Sequence, residues 1–573
     1  MSRRAIIFWA IPALLLLLML QVPVFLQMPL TPDAVLYDLQ AHCLIHGGVL
    51  YRDIIEPNLP GVVWIHAIVR SLFGESDQVL RVFDLVIVIG ITGILCHAVA
   101  NGKDSRRLQD ASMAVLASLL LVFYMGTSEW CHCQRDTWML LSCLLAVATR
   151  KMCCVQFGNA TSQPAFVPGD HHGRNFLLQA LLEGGLWAVA FWIKPFVAIP
   201  AVAVMLASRS QFASTQSWLK HSGYVIAAGA VVGLLGILWM VNAGCWTYFV
   251  EMMTSWNGDY YQAGRSRWNL ERLQAHASRF WPWVMFHLPA IVISIRNRRS
   301  LLCACYLGWL LQAVLLQQLF DYVHVPGIIL AITICIRLVT ELFRGLQIAV
   351  ASQVRSEAAA RFPFSLASGL ACVIVLMSIV SSGGSIKSRL TYLQPCFSAC
   401  VYGSLPTDVK DSISQSPFPC WTELEPLIDH LREMSIPDRE LLAYNGNLIH
   451  LYPRLKYNPP TRFVYLDVLA RCFPRRRVEM LQETERCHVR YVVANLREDG
   501  WEDDVPPNRL LPAALEAGKS KLFFPYNQRP VFRSGSYVMF EVDSPPGSLT
   551  SEYFPLSQFH SKIIATGETN RIE

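Results

Sequence analysis

Residues 5–27 read AIIFWAIPALLLLLMLQVPVFLQ, an apolar run that follows Arg3 and Arg4 directly. A helix that crosses a bilayer needs roughly 20 mostly apolar residues. This run is longer than the apolar core of a signal peptide, and no small-residue cleavage site follows it. We therefore expect an uncleaved first span whose amino terminus lies in the cytoplasm.

Similar apolar runs recur through the first two-thirds of the chain. Hydrophobic residues make up 53% of the sequence and charged residues only 16%, whereas a soluble domain is typically about 25% charged. The predicted fold class is an α-helical polytopic membrane protein with about eleven transmembrane helices. The further spans are expected near residues 80–100, 112–126, 137–150, 177–193, 195–208, 222–243, 281–295, 301–320, 322–342 and 363–381.

The charges between these runs indicate the topology, because cytoplasmic loops are rich in lysine and arginine. If the spans alternate in direction, the basic clusters fall on the cytoplasmic side: Lys103, Arg106 and Arg107; Arg150, Lys151 and Arg174; Arg209 and Lys220; Arg296, Arg298 and Arg299; Arg344, Arg355 and Arg361. The first loop (28–79) and everything after about residue 385 then lie outside. We predict a multi-pass protein of the plasma (inner) membrane. The basic residues form no single exposed stripe, so a nucleic-acid partner is not expected.

Composition changes after residue 384, and we predict two domains: a membrane domain at 1–384 and an extracytoplasmic α/β domain at 385–573. Residues 421–434 carry apolar side chains at helical spacing. Strand-like runs follow at 440–444, 463–466 and 489–494, and a hairpin is expected around 533–537. The domain contains no glycine-rich phosphate loop, so no cofactor is assigned to it.

One carboxylate in the first outer loop stands out as a candidate base. The loop begins Thr31-Pro-Asp-Ala-Val-Leu-Tyr-Asp38, which places Asp33 a few residues beyond the first span. A carboxylate that is partly shielded from water can acquire a raised pKa and serve as a general base. The alternative is structural: Thr31 caps a helix, Pro32 occupies its first position, and Asp33 favours the positive helix end.

The first loop resembles that of a known enzyme family. The loop continues with Gly47-Gly-Val-Leu-Tyr51-Arg-Asp53 and then Glu56-Pro-Asn-Leu-Pro60-Gly61, ahead of an apolar segment at 61–73 that is expected to lie on the membrane interface. This pattern is similar to that of the GT-C membrane glycosyltransferases, above all the protein O-mannosyltransferase and lipid A aminoarabinose transferase group. The family often has an acidic pair where this chain has Asp33 followed by Ala34.

The resemblance implies an inverting transfer of a sugar from a polyprenyl-phosphate donor to an acceptor lipid, glycan or protein on the outer face of the membrane. The enzyme would be a hexosyl- or pentosyltransferase without a cofactor, although some relatives bind a divalent metal. The resemblance assigns catalytic roles to Asp33 and Asp136. It assigns substrate binding to Asp53, Arg135, Lys194 and His324.

Two alternatives accompany this interpretation. Lys194 could instead extend its amine to the membrane interface without binding a substrate. The whole chain could be a membrane protein of another class, such as a transporter, which would carry ionisable side chains along a pathway through its spans.

Overall fold

The computed structural model describes residues 21–100, 106–158, 171–265, 270–317, 320–353, 391–500, 524–526 and 528–542. Six helices in this part of the chain are long and apolar enough to cross a membrane. Each coincides with a run predicted from the sequence. The six are Asp77–Ala100, Gln109–Gly126, Arg135–Gln156, Arg174–Ile193, Thr215–Asn242 and Asp321–Leu342.

The remaining predicted runs within the described residues are helical but shorter. They correspond to Ala198–Ser208, to His287–Arg296 with the preceding turn Trp283–Phe286, and to Leu301–Leu315. Of the predicted first span, residues 21–27 are described and are helical. Residues 5–20 and the predicted run at 363–381 lie outside the described residues. The fold is thus a multi-pass helical membrane protein, as predicted.

The described residues form two compact units. Among the described residues, the first unit comprises those within 1–50, 56–251 and 264–417, and the second comprises those within 51–55, 252–263 and 418–573. The helices Leu393–Tyr402 and Thr407–Ile413 belong to the first unit. Two short segments that precede or lie between the spans, 51–55 and 252–263, belong to the second.

The first outer loop folds into two helices, Pro32–Ile45 and Gly61–Phe73. The second of these packs closely against the chain near residue 192, since a β carbon at Gly61 would lie 2.5 Å from the backbone carbonyl of Trp192. Only glycine allows that approach. The helix exposes Ile68, Leu72 and Phe73, an apolar face of the kind expected at a membrane interface.

The described part of the second unit contains the strands β1 (Leu441–Ala443), β2 (Tyr491–Asn495), β3 (Arg529–Ser534) and β4 (Tyr537–Glu541). They form one sheet in the order β1-β2-β4-β3. Strands β1 and β2 are parallel, whereas β4 is antiparallel to both β2 and β3. The predicted hairpin and the helix Trp421–Met434 are confirmed. Its other α-helices are Asn257–Arg265, which extends into the first unit, Leu451–Leu455, Leu466–Cys472 and Arg477–Arg486.

The predicted strand at 463–466 is wrong. Phe463 and Val464 are buried but pair with no strand, because side chains already form hydrogen bonds with their backbone groups. The N–H of Phe463 donates to Thr461 Oγ1 at 3.1 Å, and the carbonyl of Val464 accepts from Tyr452 at 3.3 Å. A short apolar run cannot be assigned to a strand by periodicity alone.

Candidate functional site

Asp33 lies in the first turn of the helix Pro32–Ile45. The capping interaction expected of this turn is made by Thr31, whose side chain accepts a hydrogen bond from the N–H of Ala34 at 3.3 Å. The carboxylate of Asp33 is half-buried and accepts a hydrogen bond from the hydroxyl of Tyr322. Burial raises the pKa of Asp33, although Arg135, Tyr322 and Lys194 act in the opposite direction. The side chain is therefore shielded but still accessible.

Two buried side chains, Asp136 and Lys194, form a bidentate ion pair in the first unit. Lys194 Nζ lies 2.9 Å and 2.8 Å from the two carboxylate oxygens of Asp136. Asp136 is fully buried and Lys194 is 5% exposed, so the amine does not extend to the surface. Burial lowers the pKa of Lys194 to about 8, while Asp136 raises it.

The position of Lys194 follows from the proline after it. The preceding helix ends at Ile193, and Lys194 is extended, with φ −159° and ψ 119°. Proline disfavours the helical conformation of the residue before it. The chain therefore breaks between the predicted spans at 177–193 and 195–208, and the break directs the amine towards Asp136 and the ring of Tyr322, whose centroid is 5.7 Å from Nζ.

Arg135 supplies a second buried cation beside this pair. Its guanidinium carbon lies 6.0 Å from the centroid of the Tyr37 ring, and its charge acts on both Asp33 and Glu56. Within the described residues, Nε of Arg135 is buried and has no hydrogen-bond partner. An unpaired buried guanidinium nitrogen is costly unless a ligand completes it. The arrangement is suited to an anion such as a phosphate.

Glu56 belongs to this group, although sequence reasoning did not select it. The side chain is 4% exposed and accepts hydrogen bonds from the N–H of Asn58 at 3.1 Å and from its side-chain amide. Burial raises the pKa of Glu56 to about 7, and the neighbouring Asp33 adds to that rise. Only its place in the Glu56-Pro-Asn stretch could have drawn attention to it, since its burial is not readable from the sequence.

His324 and Asp53 occupy different places. His324 is buried on the turn Asp321–His324, which also carries Tyr322, and its ring centroid lies 4.8 Å from that of His276. Asp53 belongs to the second unit, where Arg52 donates to its two oxygens at 2.6 and 2.8 Å. The structure therefore groups Asp33, Arg135, Asp136 and Lys194 through direct contacts or charge. It places His324 on an adjoining turn. We call Asp33, Glu56, Arg135, Asp136, Lys194 and Tyr322 the Asp33 cluster.

A second polar network joins the two helices of the first outer loop. Asp38 accepts from His66 Nδ1 at 2.7 Å and from Arg70 Nε at 2.9 Å. Arg70 also donates to the backbone carbonyl of Ser76 at 2.6 Å. Burial alone would raise the pKa of Asp38, but His66 and Arg70 outweigh burial and lower the pKa. This network holds the helix that carries Asp33 against the helix Gly61–Phe73.

The Asp33 cluster combines a shielded carboxylate, a buried acid with a raised pKa, and two buried cations. Such a set can remove a proton from a hydroxyl and stabilise a negatively charged leaving group. In the described ranges, no group of three or more His, Cys, Asp or Glu side chains is placed to hold a metal ion.

No family model matches the chain, and no curated protein matches it in sequence. Its fold is similar to that of solved GT-C glycosyltransferases. The crystal structure of ArnT from Cupriavidus metallidurans, bound to undecaprenyl phosphate, superposes with a TM-score of 0.52 at 12% identity, covering 95% of this chain and 99% of that one. AglB, an archaeal oligosaccharyltransferase from Archaeoglobus fulgidus in complex with an inhibitory peptide and a dolichol-phosphate, gives a TM-score of 0.47 at 11% identity, covering 87% and 70%. The expected GT-C-like fold, with a small sheet region near the C-terminal end, is confirmed.

Proposed function

We propose that this protein is an inverting glycosyltransferase that moves a sugar from a polyprenyl-phosphate donor to an acceptor hydroxyl at the outer face of the membrane. The observation that carries the proposal is the Asp33 cluster, in which a shielded base lies beside two buried cations. The likeness to ArnT, whose structure contains undecaprenyl phosphate, supports a lipid-linked donor. The orientation follows from the charge of the loops.

In the proposed reaction, Asp33 accepts the proton of the acceptor hydroxyl. The hydroxyl oxygen attacks the anomeric carbon while the bond from that carbon to the phosphate oxygen breaks. The products are the glycosylated acceptor, with the anomeric configuration inverted, and the polyprenyl phosphate. Lys194 and Arg135 stabilise the negative charge that develops on the phosphate. A carboxylate with a raised pKa is a stronger base than an ordinary aspartate.

Asp136 has a supporting role in this proposal. Both of its oxygens are bound to Lys194, so the carboxylate positions the amine rather than accepting the proton of the acceptor. We expect His324, on the turn that also carries Tyr322, to contact the donor. The role of Asp53 in substrate binding remains a prediction, because this residue lies in the second unit.

The proposal is tested with the purified full-length protein in lipid nanodiscs. Polyprenyl phosphates carrying different hexoses and pentoses are supplied with candidate acceptors, and release of polyprenyl phosphate is measured. We expect turnover with one donor, and its loss in Asp33→Asn, which preserves the shape of the side chain but removes the base. Asp110→Asn, at an exposed position, is the matched control. Full turnover in Asp33→Asn would refute the assignment of the base.

A further inference from the structure

Glu129 is a buried carboxylate outside the Asp33 cluster, and both of its oxygens accept hydrogen bonds. It lies on the turn Glu129–Cys131 and is 3% exposed. Its oxygens accept from Ser414 Oγ at 2.8 Å, from the N–H of Gln415 at 3.0 Å and from the N–H of Ser416 at 2.6 Å. Hydrogen bonds to an ionised group are stronger than neutral ones. The carboxylate therefore fastens residues 414–416 to the second outer loop, residues 127–136.

Residues 414–416 end a stretch that packs within the first unit. Cys396, Ala399, Val409 and Ile413, on the helices Leu393–Tyr402 and Thr407–Ile413, pack in one apolar cluster that also contains Val24 and Met28. The second unit begins immediately afterwards, at residue 418. Glu129 thus holds the last few residues of the first unit before the chain enters the second.

The other end of the same loop carries part of the Asp33 cluster. Gln134 Nε2 donates to Thr31 Oγ1 at 3.4 Å, and Arg135 and Asp136 follow directly. Between the two ends, Nε2 of His132 lies 2.8 Å from the carbonyl of Tyr124 and 3.0 Å from the hydroxyl of Thr127. The loop is therefore held at both ends and in the middle.

We propose that Glu129 is a positioning residue that sets the place of Arg135 and of the Asp136–Lys194 pair by fastening their loop to residues 414–416. The inference rests on the proposed function, because its effect is read through donor binding. Loss of the carboxylate loosens the loop and displaces the cations that receive the phosphate. Arg135 and Lys194 act to lower the pKa of Asp33, so their displacement should also raise that pKa.

The test compares Glu129→Gln, Glu129→Ala and Ser414→Ala with the wild type in nanodiscs. We expect the donor KM to rise by about tenfold in Glu129→Gln, the order of one charged hydrogen bond, with a smaller rise in Ser414→Ala. kcat should fall as well, because the same cations stabilise the charge that develops on the phosphate, and the acid limb of its pH profile should move to higher pH as the pKa of Asp33 rises. Proteolysis between residues 414 and 418 should accelerate in parallel. The control is Glu75→Gln, at an exposed carboxylate whose Oε1 lies 3.9 Å from Nε2 of His42.

The outcomes separate this inference from the proposed function. An active wild type with an unchanged donor KM in both Glu129→Gln and Ser414→Ala would overturn the positioning role, even if proteolysis accelerates. A fall in kcat with an unchanged KM would also overturn it. A wild type that transfers sugar from no polyprenyl-phosphate donor would overturn the proposed function itself. Ser414→Ala removes a single contact and keeps the test available if Glu129→Ala fails to fold.

Discussion

Replacing Lys194 by methionine separates its role in the structure from its role in donor binding. The amine and the carboxylate of Asp136 are both buried and lie 2.8 Å apart at the nearest pair of atoms. Removing one partner of a buried pair leaves an uncompensated charge, which typically costs about 3–5 kcal/mol. Lys194→Met should therefore lower the free energy of unfolding by about that amount.

The same substitution removes a contact to the donor phosphate. A hydrogen bond to a charged group is worth about 1.5–3 kcal/mol, which corresponds to a loss of about ten- to a hundredfold in affinity. The unpaired Asp136 would add repulsion against the phosphate. The double variant Lys194→Met/Asp136→Asn has no unpaired charge, so we expect most of the stability to return while the loss of affinity remains.

The assay is titration of polyprenyl phosphate into the purified protein, together with thermal unfolding of the same samples. Asp136→Asn alone should lose stability and also some donor affinity near neutral pH, because removal of the carboxylate lowers the pKa of Lys194 further. Wild-type affinity in the double variant would refute the reasoning. It would show that Lys194 serves only to neutralise Asp136.

Two further predictions concern the neighbouring carboxylates. Burial raises the pKa of Glu56 to about 7, so its carboxylate ionises as the pH rises through 7, and the negative charge beside Arg135 should weaken phosphate binding. In a titration of donor affinity against pH, Glu56→Gln should abolish this loss of affinity. A loss of affinity that persists unchanged in the variant would assign it to another group. Because its partners lower the pKa of Asp38, the ionised carboxylate stabilises the folded state above the ordinary carboxyl range of about pH 3.9, and that stability is lost as the pH falls through the lowered pKa. Asp38→Asn should reduce the melting temperature at pH 7 and flatten its dependence on acid pH. A wild-type melting curve would contradict the role of Asp38 in holding the helices Pro32–Ile45 and Gly61–Phe73 together.

Much of the membrane part could be predicted because lipid imposes simple requirements. Long apolar runs must be helical, since a bilayer offers no partner for the backbone, and every described run is helical. The break at Lys194 was also predictable, because proline restricts the residue before it. In the second unit, the helix Trp421–Met434 was visible from the spacing of its apolar residues.

The features that could not be predicted from the sequence depend on contacts that no local pattern shows. The partner of Lys194 is Asp136, 58 positions away, and no local pattern connects them. Glu56 resembles any loop glutamate until its burial is known. Phe463 and Val464 have the composition of a strand, but hydrogen bonds with the side chains of Thr461 and Tyr452 occupy their backbone groups. Tertiary context overrode local preference at each of these positions.

The central claim is that the Asp33 cluster receives the phosphate of a lipid-linked sugar. The most direct measurement is an experimental structure of the full-length protein with bound polyprenyl phosphate. The account predicts that the phosphate oxygens lie within hydrogen-bond distance, about 2.7–3.2 Å, of Lys194 Nζ and the Arg135 guanidinium, with Asp33 open to an acceptor beside them. A phosphate bound elsewhere, with Lys194 and Arg135 both out of its reach, would contradict the account.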